Sequence, residues 1–203
     1  MNRNKPKTGF SPELLILAAS TGGPVALEQI IGTLQKDFTI PIVVVQHMPK
    51  HFTAALAKAL NRKSELEVKE ARDGDCLKAG YVYIAPGGSH LKLNPKRKGV
   101  LALSDEAQIN GVRPAVDVLL WSIAENLFIE RIVVVILTGM GADGLAGLTH
   151  LHQKKQVYCL VQDEATSTVY GMPKRIVEAE LADEVLPLSK IAARLSVLAG
   201  KEK

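Results

Sequence analysis

Apolar side chains fall into short uninterrupted runs separated by longer stretches with helical spacing. Leu14–Ala19 (LLILAA) and residues 132–137 are apolar throughout, the pattern of strands covered on both faces. Residues 41–46 (PIVVVQ) make a second run of this kind. Residues 66–71 and 81–85 predict further strands around the turn Asp73-Gly74-Asp75. Residues 90–93 and 100–103 alternate apolar with other positions on either side of Asn94-Pro95-Lys96-Arg97-Lys98-Gly99, which predicts a β-hairpin with a basic tip. Residues 131–137 are the most β-branched strand, and 157–161 and 184–186 complete the set. Helical patterns fill the intervals: 24–34, 52–61, 114–127 (amphipathic, carrying Trp121), 145–155, 173–180 and 188–199. Pro24 falls in the first turn of its helix, where a missing N–H costs nothing.

This β–α alternation predicts a doubly wound α/β/α sandwich with a mostly parallel sheet and a β-hairpin insertion. One domain over residues 14–200 follows a short basic tail, residues 1–13. In such sheets ligands bind beyond the carboxyl ends of the strands. The loops that leave those ends are therefore where chemistry is expected.

Composition narrows the function classes. At 203 residues and 47% hydrophobic content the chain can bury a core and is not disordered. The net charge of +4 is concentrated in residues 1–10 and the hairpin tip, which hold three basic residues each and leave the remainder near −2. A nucleic-acid face needs basic residues clustered on a structured element, and 4% aromatic content offers few stacking platforms, so no nucleic-acid partner is expected. Cys76 and Cys159 belong to no C-x-x-C, which fits a reduced cytoplasmic protein. No apolar run reaches membrane-spanning length and no signal-peptide pattern follows the N-terminus.

Three loops leave strand ends. Ala19-Ser20-Thr21-Gly22-Gly23-Pro24 runs from a strand into a helix, so Ser20 is either a nucleophile on a sharp turn or an ordinary helix-capping residue. The strict G-x-S-x-G elbow is absent, because Ala18 occupies its first place. His47, in Gln46-His47-Met48-Pro49, is either a general base or a hydrogen-bonded loop histidine. Pro49 interrupts any helix joining His47 to His51, and His150 and His152 point to different sides of theirs, so no metal site is expected.

The third loop, Leu137 to Gly144, fits G-x-G-x-x-G, with Asp163 about twenty residues on. This is a dinucleotide fingerprint in the right context. Against it stands Asp143, a carboxylate where pyrophosphate would lie, and one expected to cap its own helix. The alternative function is therefore a nucleotide- or phosphate-binding regulatory module. Ser20, His47 and Asp143 together have the types a triad needs, in an order that matches none of the familiar ones.

Seven segments, ASTGGP, IVVVQHMP, EARDGD, YIAPGGSH, VRPAVDVL, VILTGMGADG and YGMP, occur in one order from Leu14 to about residue 188. In combination they closely resemble the catalytic domain of the chemotaxis protein-glutamate methylesterase family (CheB). The resemblance implies hydrolysis of glutamate γ-methyl esters on the cytoplasmic helices of methyl-accepting chemoreceptors, with deamidation of receptor glutamines. It implies Ser20 as nucleophile, His47 as base and Asp143 as acid, with no cofactor. Loop geometry nominates the backbone N–H groups of Thr21 and Met140 for the oxyanion. Arg113 is expected in a structural salt bridge, with contact to an acidic receptor surface as the alternative; His90 is expected as a structural loop histidine, and Asp73 and Asp75 as turn formers. Ala18 and Gly111-Val112 depart from the family's usual residues. The family usually carries a receiver domain in front. Only about a dozen residues precede the first strand, so this chain is expected to have none, to be active without a phosphodonor, and to be controlled through a separate partner, expression or receptor affinity.

Overall fold

The computed structural model describes residues 10–200; of the expected basic tail, residues 1–9 lie outside them. The elements run β1 (Leu14–Ala19), α1 (Gly23–Ile31), β2 (Ile42–Gln46), α2 (Phe52–Asn61), β3 (Glu67–Glu70), β4 (Tyr81–Ile84), β5 (His90–Leu93), β6 (Leu101–Ser104), α3 (Val116–Ala124), β7 (Arg131–Ile136), α4 (Leu145–Lys154), β8 (Gln156–Gln162), α5 (Met172–Glu178), β9 (Glu184–Leu186) and α6 (Leu188–Leu198).

Among the described residues, seven strands form one sheet in the order β3-β4-β2-β1-β7-β8-β9. Every pairing in it is parallel, so the expected mostly parallel sheet is parallel throughout. β5 and β6 form the separate antiparallel hairpin. Side chains of β1 alternate between two cores. Leu15, Leu17 and Ala19 pack toward α1, α2 and α6, and Leu14, Ile16 and Ala18 toward α3, α4, α5 and the hairpin. Both faces of β1 are thus sealed, which is why its sequence is apolar without interruption.

α3 departs from expectation. It is shorter than the 114–127 pattern, and it is buried on nearly every side rather than along one stripe. The hairpin and α4 both cover it. That coverage comes from segments distant in sequence, so a local periodicity could not reveal it. Its end is set by Asn126, whose side-chain oxygen accepts the Phe128 N–H at 2.9 Å and begins the turn into β7.

The strand order also locates a crevice. From β1 the chain moves to β2 on one side, and it later returns to β7 on the other side of β1. Loops leaving the carboxyl ends of β1 and β7 therefore diverge into helices on opposite faces. Residues 10–13 lie elsewhere. Glu13 accepts the N–H groups of Glu130 and Arg131 at 3.0 Å each, at the amino end of β7. Phe10 packs on Tyr158 with ring centroids 6.1 Å apart. Among the described residues, no helix is long and apolar enough to cross a membrane.

Candidate active site

Register brings the first two loops together. Ala19 of β1 pairs with Gln46 of β2, so Ser20 and His47 are the next residues out of adjacent strands. His47 N–H donates to the Ala19 carbonyl at 3.1 Å. On the other side of β1, Ser20 N–H donates to the Thr138 carbonyl at 3.0 Å, tying the serine to the loop after β7. Gly139 in that loop lies directly against Ser20: a Cβ there would come within 2.7 Å of the serine Cβ and 2.6 Å of Met172 Sδ.

Ser20 does not cap α1. The N-cap is Gly22, in the left-handed region at φ 82°, with no capping side chain. The capping alternative for Ser20 is thereby removed. Neither the Thr21 nor the Met140 N–H donates to another group among the described residues.

His47 and Asp143, 96 residues apart in sequence, meet through Nε2 and Oδ2 at 2.7 Å. The pair is largely withdrawn from water, with side-chain exposures of 10% and 3%. A carboxylate on Nε2 fixes the neutral tautomer with its proton there and leaves Nδ1 as the basic nitrogen. Asp143 is itself held. Oδ2 accepts the Val116 N–H at 2.6 Å and Oδ1 the Asp117 N–H at 3.0 Å, both at the start of α3. The expectation that Asp143 caps its own helix is therefore corrected: it caps α3, because the glycine-rich turn before α4 swings its side chain across to the neighbouring helix. The first amides of α4 are served instead by Asp117, which accepts from Gly144 at 2.9 Å and Gly147 at 2.7 Å. Burial, with the nearby charge of Asp143, pushes the Asp117 carboxyl up to about 6.

These bonds dispose of the dinucleotide fingerprint. A pyrophosphate needs free amides at the helix N-terminus. Here two of them are committed to a buried carboxylate. Asp163 is engaged locally, accepting the N–H and hydroxyl of Thr166 at 3.0 and 2.6 Å.

Several supporting residues escaped the sequence reading. Gln46 is 2% exposed, and its Nε2 donates to the carbonyls of both Ser20 (2.9 Å) and His47 (3.1 Å). It thus fastens the two loops together, lying over Gly23, where a Cβ would collide with it. Gln162 plays the matching part at the end of β8. Its Oε1 accepts the Thr138 N–H at 2.8 Å, and its Nε2 donates to the Thr166 carbonyl at 2.8 Å. Thr138 Oγ1 then donates to the Thr21 carbonyl at 2.9 Å. The available signal was two apolar strands that each end on glutamine, VVVQH and CLVQD.

Other expectations resolve as follows. His90 is not in a loop: it opens β5, fully buried, with Nε2 donating to the Ala107 carbonyl at 3.0 Å and Nδ1 accepting the Ala115 N–H at 3.2 Å. Arg113 forms no salt bridge among the described residues; its Nη1 donates to the carbonyls of Asp105 and Glu106 at 2.8 Å each. The hairpin path brings carbonyls, not carboxylates, within its reach. Asp75 is the turn former expected, accepting the Arg72 N–H at 2.8 Å while it also pairs with Lys69 of β3, whereas Asp73 reaches out of the turn to accept the Leu103 N–H of β6 at 3.0 Å.

Comparison with known proteins gives a consistent result. A family model described as CheB methylesterase matches residues 15–195. A protein-glutamate methylesterase/protein-glutamine glutaminase of Desulfotalea psychrophila is 44% identical over 186 residues, covering 90% of this chain and 50% of that protein. A protein of the same name from Bacillus subtilis is 40% identical over 201 residues, covering 98% of this chain and 56% of the relative. The chain thus spans about half the length of the curated relatives it matches. The crystal structure of the Thermotoga maritima CheB methylesterase catalytic domain superposes with a TM-score of 0.86 at 45% identity, covering 93% of this chain and 99% of that one. With the fold, the order of the motifs and the matched span in agreement, the chain belongs to the CheB methylesterase family.

Proposed function

We propose that this chain is a serine carboxylic-ester hydrolase that converts glutamate γ-methyl esters on the cytoplasmic helices of methyl-accepting chemoreceptors to glutamate and methanol. The observation that carries this reading is the buried His47–Asp143 contact at 2.7 Å beside the loop that presents Ser20. Ser20 Oγ attacks the ester carbonyl while its proton passes to His47 Nδ1. Asp143 holds the ring and stabilises the imidazolium. The N–H groups of Thr21 and Met140 hold the tetrahedral oxyanion. Collapse breaks the bond to the methoxy oxygen, which takes the proton from Nδ1 and leaves as methanol, and Ser20 remains acylated by the glutamyl side chain. Water then attacks the acyl carbon, and its proton passes through Nδ1 to Ser20 Oγ. With glutamine as substrate the leaving group is ammonia and the product is again glutamate.

The test is methanol release from methylated receptor by wild type and by Ser20→Ala. Release by the wild type and none by the variant supports the reading; equal release by both overturns it.

A further inference from the structure

Helices α3 and α4 exchange their N-caps. Neither has a capping side chain at its own N-cap residue, Ala115 for α3 and Gly144 for α4. Asp143, just ahead of α4, serves the first amides of α3, and Asp117, in the first turn of α3, serves those of α4. Each carboxylate hangs from one helix and closes the other. The second oxygen of Asp117 accepts from Asn110 Nδ2 at 3.2 Å. The helices touch closely here: a Cβ on Gly147 would fall 2.8 Å from the Asp117 Cα.

Two buried carboxylates this near one another repel, and each has lost its hydration. Charge-assisted bonds from backbone amides and the positive ends of two helix dipoles offset that cost. What the exchange achieves is placement. The segment leading into α4 carries Gly141 at φ 91° and Gly144 at φ 101°, a backbone with wide freedom. Asp143 sits between these glycines, in a turn closed by the Leu145 N–H donating to the Ala142 carbonyl at 3.1 Å. The Gly144–Gly147 turn is anchored by Asp117, and the anchor reaches the site through a single residue.

We propose that Asp117 is a positioning residue: by pinning the start of α4 to α3 it sets where the Asp143 carboxylate meets His47. This rests on the reading of His47 and Asp143 given above. Among the described residues Asp117 makes no hydrogen bond to His47 or to the nucleophile loop, so its effect passes through Asp143.

Two variants separate position from charge. Asp117→Asn keeps an acceptor oxygen for the α4 amides, whereas Asp117→Ala removes it. Displacing a catalytic group by about 1 Å costs on the order of 100-fold. Asp117→Ala is therefore expected to lower kcat about 100-fold with KM unchanged, and Asp117→Asn to restore most of that rate. In parallel, the downfield proton resonance of His47 Nε2–H bonded to Asp143 is followed by NMR. It is expected in wild type and Asp117→Asn and broadened or shifted upfield in Asp117→Ala. An Ala variant with wild-type kcat and an unchanged resonance overturns the proposal. So does an Asn variant that folds yet matches the Ala variant in both readouts, and so does a loss confined to KM. If Asp117→Ala does not fold, the Asn variant decides alone: a wild-type resonance supports the proposal and an absent one overturns it. If wild type releases no methanol, the ester-hydrolase reading fails, and the resonance still reports whether Asp117 places Asp143.

Discussion

The two ends of the sheet are held in different ways. At the amino end of β7, polar groups meet near the surface: Glu13 and Arg131 form an ion pair at 3.6 Å, each 36% exposed, and Arg131 Nε donates to the Ser11 carbonyl at 2.6 Å. At the carboxyl end the polar groups are buried, and most are neutral amides and hydroxyls. Gln46, Thr138, Gln162 and Asp143 are each no more than 3% exposed. A half-exposed ion pair contributes little and tolerates replacement. A buried polar group left without its partner costs the full desolvation penalty. The same sheet is therefore permissive at one end and over-determined at the other, where three loops must be held in register with one another.

The comparison is broken most decisively at Ser20, whose side chain the network surrounds but does not use. Ser20→Ala should lower methanol release on the order of 10^5-fold while leaving the Tm unchanged; a Tm drop as large as that of a core variant would show that the serine is part of the scaffold.

Asp143→Asn should do both kinds of damage. The amide cannot serve Val116, Asp117 and His47 together, so turnover should fall about 10^4-fold and stability by about 1–3 kcal/mol. Denaturant unfolding beside the activity assay checks this, and full stability with lost activity would separate the cap from the chemistry.

Gly139→Ala should come next. Its Cβ meets Ser20 and Met172 at 2.6–2.7 Å, so the serine must shift, with an expected loss near 100-fold. Wild-type turnover in a well-folded variant would mean that the Ser20 backbone position is not critical.

A smaller effect concerns pH. Burial holds the Asp117 carboxyl up at about 6, against an unfolded value of 3.8. The folded state thus binds the extra proton between those values. The stability tied to that proton is complete below about 4 and is lost as pH rises through about 6. Urea unfolding of wild type should lose stability relative to Asp117→Asn across that window; a constant difference would place the Asp117 titration elsewhere.

The smallest effect is expected at the amino end, where Glu13→Ala should cost about 1 kcal/mol with activity intact. A change in turnover there would end the distinction between the two ends.

How much of this was legible follows from the same division. β1 and α2 were readable to the residue, since a continuous apolar run and an Ala/Leu helix signal their own bounds. For β8 the sequence predicts 157–161 but the strand runs Gln156–Gln162, because a polar residue at a strand end reads as solvent-facing; of the two added glutamines only Gln162 is buried. Its burial depends on Thr138, which β7 brings alongside. Ser20, His47 and Asp143 were nominated because each follows a strand at the ligand-binding edge. Gln46 and Asp117 were not, because their roles depend on which helix or loop lies opposite, and that is fixed only by tertiary packing. The position of Asp143 just ahead of α4 predicts a cap on that helix for the same reason, although its carboxylate serves α3.

In the proposed chemistry His47 activates Ser20 for attack. The most direct test of that step is the rate at which a fluorophosphonate becomes covalently bound, followed by intact mass and peptide mapping, in wild type and in His47→Ala. A single label on Ser20, formed at a rate that collapses in His47→Ala, is the predicted result. A label at another residue, or an equal rate on Ser20 without the histidine, would contradict the account.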